Sequence, residues 1–305
     1  MAISQPIIIE VWKGDWGLPS IDLECLKTLA LIRFSGTEYV VKKTNNPFWT
    51  PKGTLPLVHC GKHRYSNFEE VAAYLKIKNV CPDHGLTTVQ DAECIAYMNM
   101  LEEKLLPALQ YVWWVDEKNY LSLTRRWYSR ALPFPLNFYY PPKYLKEAQQ
   151  MIEALHGAEN KSDIENKIYN EAEKCLTALS VRLGESEFMF GSHPTSLDAI
   201  VFAYLAPLLK APFKNAVLQN HLKACTNLYK FVTRVSQRYF MTDYQEYENK
   251  IKAEAMSNQQ TENDKDYPSS IIAALLAIFA MVGYAFSVGI VQVSVESEVD
   301  PKINT

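Results

Sequence analysis

The sequence predicts an α+β protein with a small N-terminal layer of strands and helices, an all-helical second domain and one hydrophobic C-terminal helix. Short β-branched runs alternate with helical periodicity up to about residue 78, and from Thr87 onward apolar residues recur at helical spacing. No charged residue occurs between Tyr267 and Val295. We expect a first domain at 1–78, a helical domain at 87–240, an acidic linker at 241–267, a membrane span at 268–295 and a tail at 296–305.

The N-terminal layer is expected to run strand, helix, strand, then strand, strand, helix. β-Branched and apolar residues predict the strands, and apolar residues three and four apart predict the helices. The expected segments are strands at 7–12, 39–43, 54–58 and 64–66 and helices at 23–32 and 68–75. Pro56 lacks the N–H that a central ladder needs, so it requires a special position; an ordinary edge-strand proline is the alternative.

The rest of the body is expected to be helical. Apolar positions at helical spacing predict helices at 91–115, 120–131, 144–155 and 163–183. Pro107 should kink the first of these, and the proline-rich segment 133–142 should not form regular helix. Thr195 as N-cap and Asp198 three residues later form a capping-box pattern ahead of a buried helix.

The C-terminal apolar run is expected to anchor the protein in a membrane. Ile271 to Val291 would form a helix of about 30 Å, the thickness of the hydrocarbon core of a bilayer. A buried helix of a soluble domain is the alternative, but such helices normally carry a polar stripe. Gly283 and Gly289 belong to small-residue spacings that allow helices to approach closely, although the helix could equally be a simple tether.

The composition indicates the cellular compartment and gives no support for nucleic acid as a ligand. The N-terminus lacks a basic region followed by an apolar core, so no signal peptide is expected and the body should face the cytosol. Six cysteines without a C-x-x-C pair indicate a reducing compartment. A net charge of −3 gives no argument for nucleic acid. The aromatic residues crowded into 111–144 indicate core, or alternatively a groove for a partner protein.

The order of the first elements, with a proline at the third strand, resembles the N-terminal half of glutathione transferases. In that family the proline lies in a cis peptide bond at the mouth of the active site. The stretch from Phe190-Gly191 through Ser196-Leu197-Asp198-Ala199 is similar to the start of the buried helix in the second domain of the same family. The resemblance implies a thioredoxin-like layer packed on a helical domain.

Several motifs narrow the resemblance to metaxins, specifically the metaxin-1-like branch that carries a C-terminal anchor. They are Trp16-Gly17-Leu18-Pro19-Ser20, Gly53-Thr54-Leu55-Pro56, residues 101–107, Phe134-Pro135-Leu136-Asn137-Phe138 and Ser196-Leu197-Asp198-Ala199. The resemblance implies a non-enzymatic subunit on the cytosolic face of the mitochondrial outer membrane. It would act with another metaxin and with the β-barrel sorting and assembly machinery in protein import, and some members are also implicated in mitochondrial positioning.

A membrane-tethered glutathione-dependent transferase is the alternative function. Ser20 is the one hydroxyl in the loop after the first strand, where that family stabilises the thiolate of glutathione, but a helix N-cap is the favoured interpretation of this residue. Asn67 and Phe68 occupy the places of the acid and serine that hold the glutamyl end, and a phenylalanine cannot bind a carboxylate. No cofactor is expected. Neither of the two His- and Cys-containing turns, at 59–63 and 81–84, shows zinc-ligand spacing.

Overall fold

The computed structural model describes residues 6–157 and 160–263. The residues up to Glu248 form one compact unit, and those from Asn249 belong to a second. No helix within the described ranges is long and apolar enough to cross a membrane. The predicted span from Ile271 to Val291, with Gly283 and Gly289, lies outside the described residues.

The N-terminal layer is a four-stranded mixed sheet with two helices, as the sequence predicts. Strand order is β2-β1-β3-β4, with β1 and β2 parallel and the other two pairs antiparallel. The elements are β1 (Ile7–Trp12), α1 (Leu23–Phe34), β2 (Tyr39–Thr44), β3 (Leu57–Cys60), β4 (His63–Tyr65) and α2 (Phe68–Ile77). In β1, Ile7, Ile9 and Val11 are fully buried, as expected where alternate residues face a core.

Pro56 lies directly before β3, and the Leu55–Pro56 peptide bond is cis. Because β3 pairs with both β1 and β4, it is an interior strand, and the edge-strand interpretation of this proline is wrong. The proline avoids interrupting the ladder by standing one residue outside it.

Helices make up the rest of the compact unit. They are α3 (Thr88–Met100), α4 (Leu106–Gln110), α5 (Glu117–Asn119), α6 (Arg125–Ala131), α7 (Leu136–His156), α8 (Lys161–Leu183), α9 (Ser196–Lys210), α10 (Val217–Ala224), α11 (Thr226–Tyr239) and the start of α12 (Met241–Asn263). Wider π turns at 101–105 and 111–115 flank Pro107, where the sequence predicted a kink. The helix begins at Thr88, three residues before the predicted start, because Thr87 and Gln90 form a capping box.

One prediction about this domain is wrong. The proline-rich segment 133–142 is helical from Leu136 onward, with Pro141 and Pro142 inside α7. A proline at either position removes a hydrogen bond to a carbonyl only four residues earlier, here Asn137 or Phe138 in the first turn. Hydrogen bonds are sacrificed only near the helix start, so the helix continues.

Helix α9 forms the centre of the core. Every residue from Ser196 to Leu209 is buried, and α9 packs on α1, whose residues 25–32 are buried as well. Lys27 of α1 is buried; its Nζ lies 2.7 Å from the Glu24 carboxylate and 5.2 Å from the centre of the Tyr204 ring of α9. The two layers therefore share a core. The boundaries predicted for them, 1–78 and 87–240, remain predictions.

The first residues of the predicted linker belong to the compact unit. Asp243 of α12 pairs with Lys43 of β2 at 2.9 Å, and Tyr247 packs against the core. The Nζ atom of Lys210 lies 4.9 Å from the centre of the Tyr244 ring. The compact unit thus includes residues 241–248.

Candidate functional site

The loop after β1 has a fixed, tightly turned backbone. Trp16 and Gly17 both have left-handed conformations, with φ of 53° and 77°, and the Leu18 N–H donates to the Asp15 carbonyl at 2.9 Å. A bulky residue such as tryptophan adopts this conformation only when its surroundings impose it. A Cβ atom at Gly14 would stand 1.8 Å from the Leu18 carbonyl oxygen, so this position accepts only glycine.

Contacts with the helical domain hold this loop in place. The Trp127 indole N–H of α6 donates to the Asp15 carboxylate at 3.0 Å. The Trp16 ring lies 5.9 Å from the Trp113 ring, between centroids. The loop that contains the hydroxyl considered for catalysis is therefore held against the helical domain by the side chains of Asp15 and Trp16.

Ser20 is fully buried and does not cap α1. Its Oγ accepts the Asp22 N–H at 3.3 Å, while Asp22 itself is the N-cap and accepts the Cys25 N–H at 2.9 Å. The expectation that Ser20 is the cap is wrong by two residues, because the helix begins at Leu23. An aspartate immediately before an apolar-periodic segment is a standard N-cap signal and could have identified Asp22.

Burial governs the ionisation of the groups at this helix start. It raises the pKa of the Asp22 carboxyl to about 6, against a partly compensating hydrogen bond from Cys25. Burial, together with the neighbouring Asp22 carboxylate, also raises the pKa of the Cys25 thiol well above its ordinary value. Cys25 is therefore a protonated, unreactive thiol rather than a nucleophile.

Aromatic side chains close over Asp22. We call the set Trp12, Trp113, Trp114, Tyr128 and Tyr144 the aromatic cluster. The Tyr128 ring lies 5.4 Å from Trp12 and 5.1 Å from Trp114, and Trp114 lies 5.3 Å from Tyr144. The cavity left beside Asp22 measures about 80 Å³. Pockets for small organic ligands usually measure about 300 to 1,000 Å³, so this space is too small for a tripeptide.

The second glutathione contact point is also filled. The Asn67 side chain caps α2 by accepting the Glu70 N–H at 2.8 Å, and Glu70 in turn accepts the Ser66 N–H at 3.1 Å. Phe68, at the expected place of the serine, is buried in the core with 3% of its surface exposed. Neither side chain is free to bind the carboxylate of a glutamyl group.

The start of α9 concentrates polar contacts inside the core. The Asp198 carboxylate accepts the Met189 N–H at 2.8 Å, the Thr195 N–H at 2.8 Å and the Thr195 hydroxyl at 2.7 Å. Asp83, in the short connector between the layers, accepts the Ser196 N–H at 2.7 Å. Burial raises the pKa of Asp198 to about 6, although the three donors oppose this shift. These contacts are those of a structural helix start.

The two His- and Cys-containing turns are far from forming a metal centre in the part of the chain described. No group of three or more His, Cys, Asp or Glu side chains is placed to hold a metal ion among residues 6–157 and 160–263. The His59 Nε2 atom lies 3.4 Å from the Glu10 Oε1 atom, and the Cys81 Sγ atom lies 3.6 Å from the Asp83 Oδ2 atom.

The aromatic residues of 111–144 divide into two groups. Most are core, including Tyr111, Trp113, Trp114, Tyr120, Tyr128 and Tyr140. Three lie at the surface where α6 meets α7: Phe134, Phe138 and Tyr139. The core interpretation is thus correct for the first group. The surface group was not separated from it in the sequence, because residue type does not reveal which side of a helix faces water.

Comparisons with known proteins place the fold. Residues 25–145 match the family described as outer mitochondrial membrane transport complex protein, and residues 172–235 match the glutathione S-transferase C-terminal domain. A glutathione S-transferase of Ceriporiopsis subvermispora, crystallised with glutathione, is 12% identical with a TM-score of 0.52 over 77% of this chain and 99% of its own. The β-etherase LigF of Sphingobium is 14% identical with a TM-score of 0.50 over 81% of this chain and 100% of its own. At these identities the likeness shows the glutathione-transferase-like fold alone.

Relatives in sequence are far closer. Metaxin-1 of Mus musculus is 38% identical over 295 residues, covering 95% of this chain and 93% of its own. Metaxin-3 of Danio rerio is 40% identical over 242 residues, covering 78% of this chain and 77% of its own, and the metaxin-1 homolog of Caenorhabditis briggsae is 33% identical over 95% of this chain and 99% of its own. Because these relatives are 33 to 40% identical over more than three quarters of this chain and of their own length, the chain belongs to the metaxin family.

Proposed function

We propose that this protein is a non-enzymatic subunit of the machinery that imports proteins and sorts β-barrels at the mitochondrial outer membrane. It acts through protein contacts of a glutathione-transferase-like domain. The matched family, described as an outer mitochondrial membrane transport complex protein, and the metaxin relatives support this assignment.

The filled glutathione position carries the proposal. Phe68 is buried where a serine would bind the glutamyl end, and the aromatic cluster leaves only about 80 Å³ beside Asp22. Binding of glutathione would require several buried aromatic side chains to leave the core, at a cost of about 3 to 5 kcal/mol for each large ring. The alternative function, a membrane-tethered transferase, would require the aromatic cluster to move out of the way of glutathione.

Membrane attachment and a partner complete the proposal. The apolar segment 268–295 would anchor the chain with its body in the cytosol, and another metaxin would bind it within the sorting and assembly machinery. The anchor is proposed because 21 consecutive, almost entirely apolar residues from Ile271 to Val291 suffice to span a bilayer. A further role in mitochondrial positioning is compatible with such a cytosolic body.

Two experiments on the full-length chain test the function. Chemical crosslinking in isolated mitochondria, followed by mass spectrometry, should recover another metaxin and β-barrel assembly subunits; recovery of neither would reject the import proposal. Calorimetric titration of the purified chain with glutathione should give no binding heat, and saturable binding would favour the transferase. The two results are independent of each other.

The anchor is tested by fractionation. A chain ending at Tyr267 should leave the membrane pellet in cells that lack partner metaxins, while the full chain stays in it after carbonate extraction. Replacing both Gly283 and Gly289 by leucine should keep insertion intact and weaken partner recovery if the helix packs against another helix. Unchanged recovery would mean that the helix is only a tether.

A further inference from the structure

Three aromatic side chains protrude together where α6 meets α7. We call Phe134, Phe138 and Tyr139 the aromatic tip; they are 81%, 70% and 60% exposed. The rings of Phe134 and Phe138 meet edge to face, 6.2 Å apart between centroids. Exposed aromatics grouped in this way mark a contact surface, whereas single exposed apolar residues are ordinary.

The backbone of the aromatic tip is ordered by local contacts. The Phe138 N–H donates to the Pro135 carbonyl at 3.1 Å, at the start of α7. Next to the tip, Tyr140 and Pro141 are buried, and the Tyr140 ring lies 5.4 Å from that of Tyr139. The helix start therefore fixes the three rings on the outside. The three rings are exposed although residues next to them are buried.

The chain around the aromatic tip carries only positive charge. From Asn119 to Lys146 there are five basic residues and no acidic one, in a chain whose net charge is −3. Arg125, Arg126, Arg130 and Lys146 are exposed and make no ion pair within the part of the chain that the structure describes. The fifth, Lys143, lies 6.0 Å from the centre of the Tyr139 ring and 3.7 Å from Glu147.

We propose that the aromatic tip and these basic side chains form a site that lies on an anionic lipid surface. Aromatic rings enter the headgroup region, and long basic side chains reach the lipid phosphates from the rim. Anionic leaflets attract clustered Lys and Arg side chains that have no counter-charge of their own, which is the pattern found here. Residues 119–146 contain no acidic residue, and the acid that follows them, Glu147, pairs with Lys143.

This inference rests on the proposed membrane attachment, which would keep the body within reach of lipid, and it adds which face meets the bilayer. A protein partner is the competing occupant. It would bind the three rings without needing four basic side chains that lack an ion pair, since the centres of protein interfaces are depleted of charged residues. The charge pattern therefore favours lipid.

Site-specific photo-crosslinking on the full-length chain tests the site. A benzoylphenylalanine at position 138 is compared with one at Val181 of α8, which is 77% exposed and lies outside the basic stretch. Each protein is inserted into vesicles of phosphatidylcholine, with or without about a fifth of phosphatidylserine. We expect lipid adducts at position 138 to exceed those at position 181 several-fold and to rise with phosphatidylserine. Equal labelling at both positions, or none at 138, would overturn the proposal.

Charge variants and mitochondria separate lipid from protein. Arg130→Gln with Lys146→Gln should reduce the position-138 lipid adducts on anionic vesicles several-fold and leave those on neutral vesicles unchanged. The matched pair Lys42→Gln with Lys62→Gln, also exposed, should have no effect; an equal loss would contradict the site. In isolated mitochondria, a dominant protein adduct at position 138 would overturn the proposal. Because the vesicles contain no import subunit, failure here leaves the proposed import function intact.

Discussion

Two helices, α1 and α9, each carry an aspartate at their start, Asp22 and Asp198 respectively. The two carboxyl groups differ in their hydrogen bonds and surroundings. Burial raises the pKa of both carboxyls to about 6. Asp198 accepts three hydrogen bonds from Met189 and Thr195, whereas Asp22 caps α1 by accepting the Cys25 N–H and faces a small cavity. Asp198 thus joins α9 to the segment before it inside the core. Asp22 lies beside aromatic side chains that leave a cavity of about 80 Å³.

The largest effect should come from the aromatic packing over Asp22. Trp114→Ala removes a ring that contacts Tyr120, Tyr128 and Tyr144, and the cavity left behind should lower the free energy of unfolding by about 3 to 5 kcal/mol. Urea denaturation of the full-length chain in detergent measures it. Phe138→Ala, which removes an exposed ring of the same stretch, is the control and should cost under about 1 kcal/mol. Comparable losses would mean that the ring is not part of the core.

Asp198→Ala should have the next largest effect. Two backbone N–H groups and one hydroxyl would lose their acceptor inside the core, so we expect a loss of about 2 to 3 kcal/mol in unfolding free energy at pH 7. Asp163→Ala, an exposed acid in the first turn of α8, is the control and should stay within about 0.5 kcal/mol. Equal values for the two variants would show that the Asp198 contacts contribute little.

The pH dependence of that loss sharpens the comparison. The folded pKa of Asp198, about 6, lies above the ordinary 3.8, so the stability linked to its proton is present below pH 3.8 and is lost as pH rises through 6. The destabilisation caused by Asp198→Ala should therefore be larger at pH 5 than at pH 7, by roughly 1 kcal/mol. Denaturation of wild type and variant at both pH values gives this difference. A loss that is larger at pH 7 would show that the three donors outweigh burial.

The smallest effect should come from Asp22. Asp22→Asn keeps an equally good cap and removes a buried charge, so we expect a stability equal to the wild type or higher by at most about 1 kcal/mol at pH 7. Asp22→Ala, which loses the cap, should cost about 1 kcal/mol. If the asparagine variant were instead as unstable as Asp198→Ala, the distinction between the two helix starts would collapse.

The sequence predicts much of this architecture because its local signals are strong. Alternation in β1, the cap at Thr195 and the phenylalanine at position 68 are each readable from neighbouring residues. The helical course of 136–142 does not follow from the proline rules, because Pro141 and Pro142 lie inside α7 and each removes one hydrogen bond early in the helix. The small cavity beside Asp22 could not be predicted, since Asp22, Trp114 and Ala203, which line it, come from elements far apart in the chain. Their convergence is a property of tertiary packing.

The docked start of α12 changes how far the body can travel from its proposed anchor. Residues 241–248, which the sequence assigns to a linker, are held by the Lys43–Asp243 pair and by Tyr244, whose ring would stand 3.1 Å from a Cβ at Gly17. Eight residues are thereby removed from the tether. As free helix they would add ~12 Å to its length, and as extended chain ~28 Å. A shorter tether would confine the body to a thinner layer above the bilayer and raise the local concentration there of any surface that binds the proposed partner.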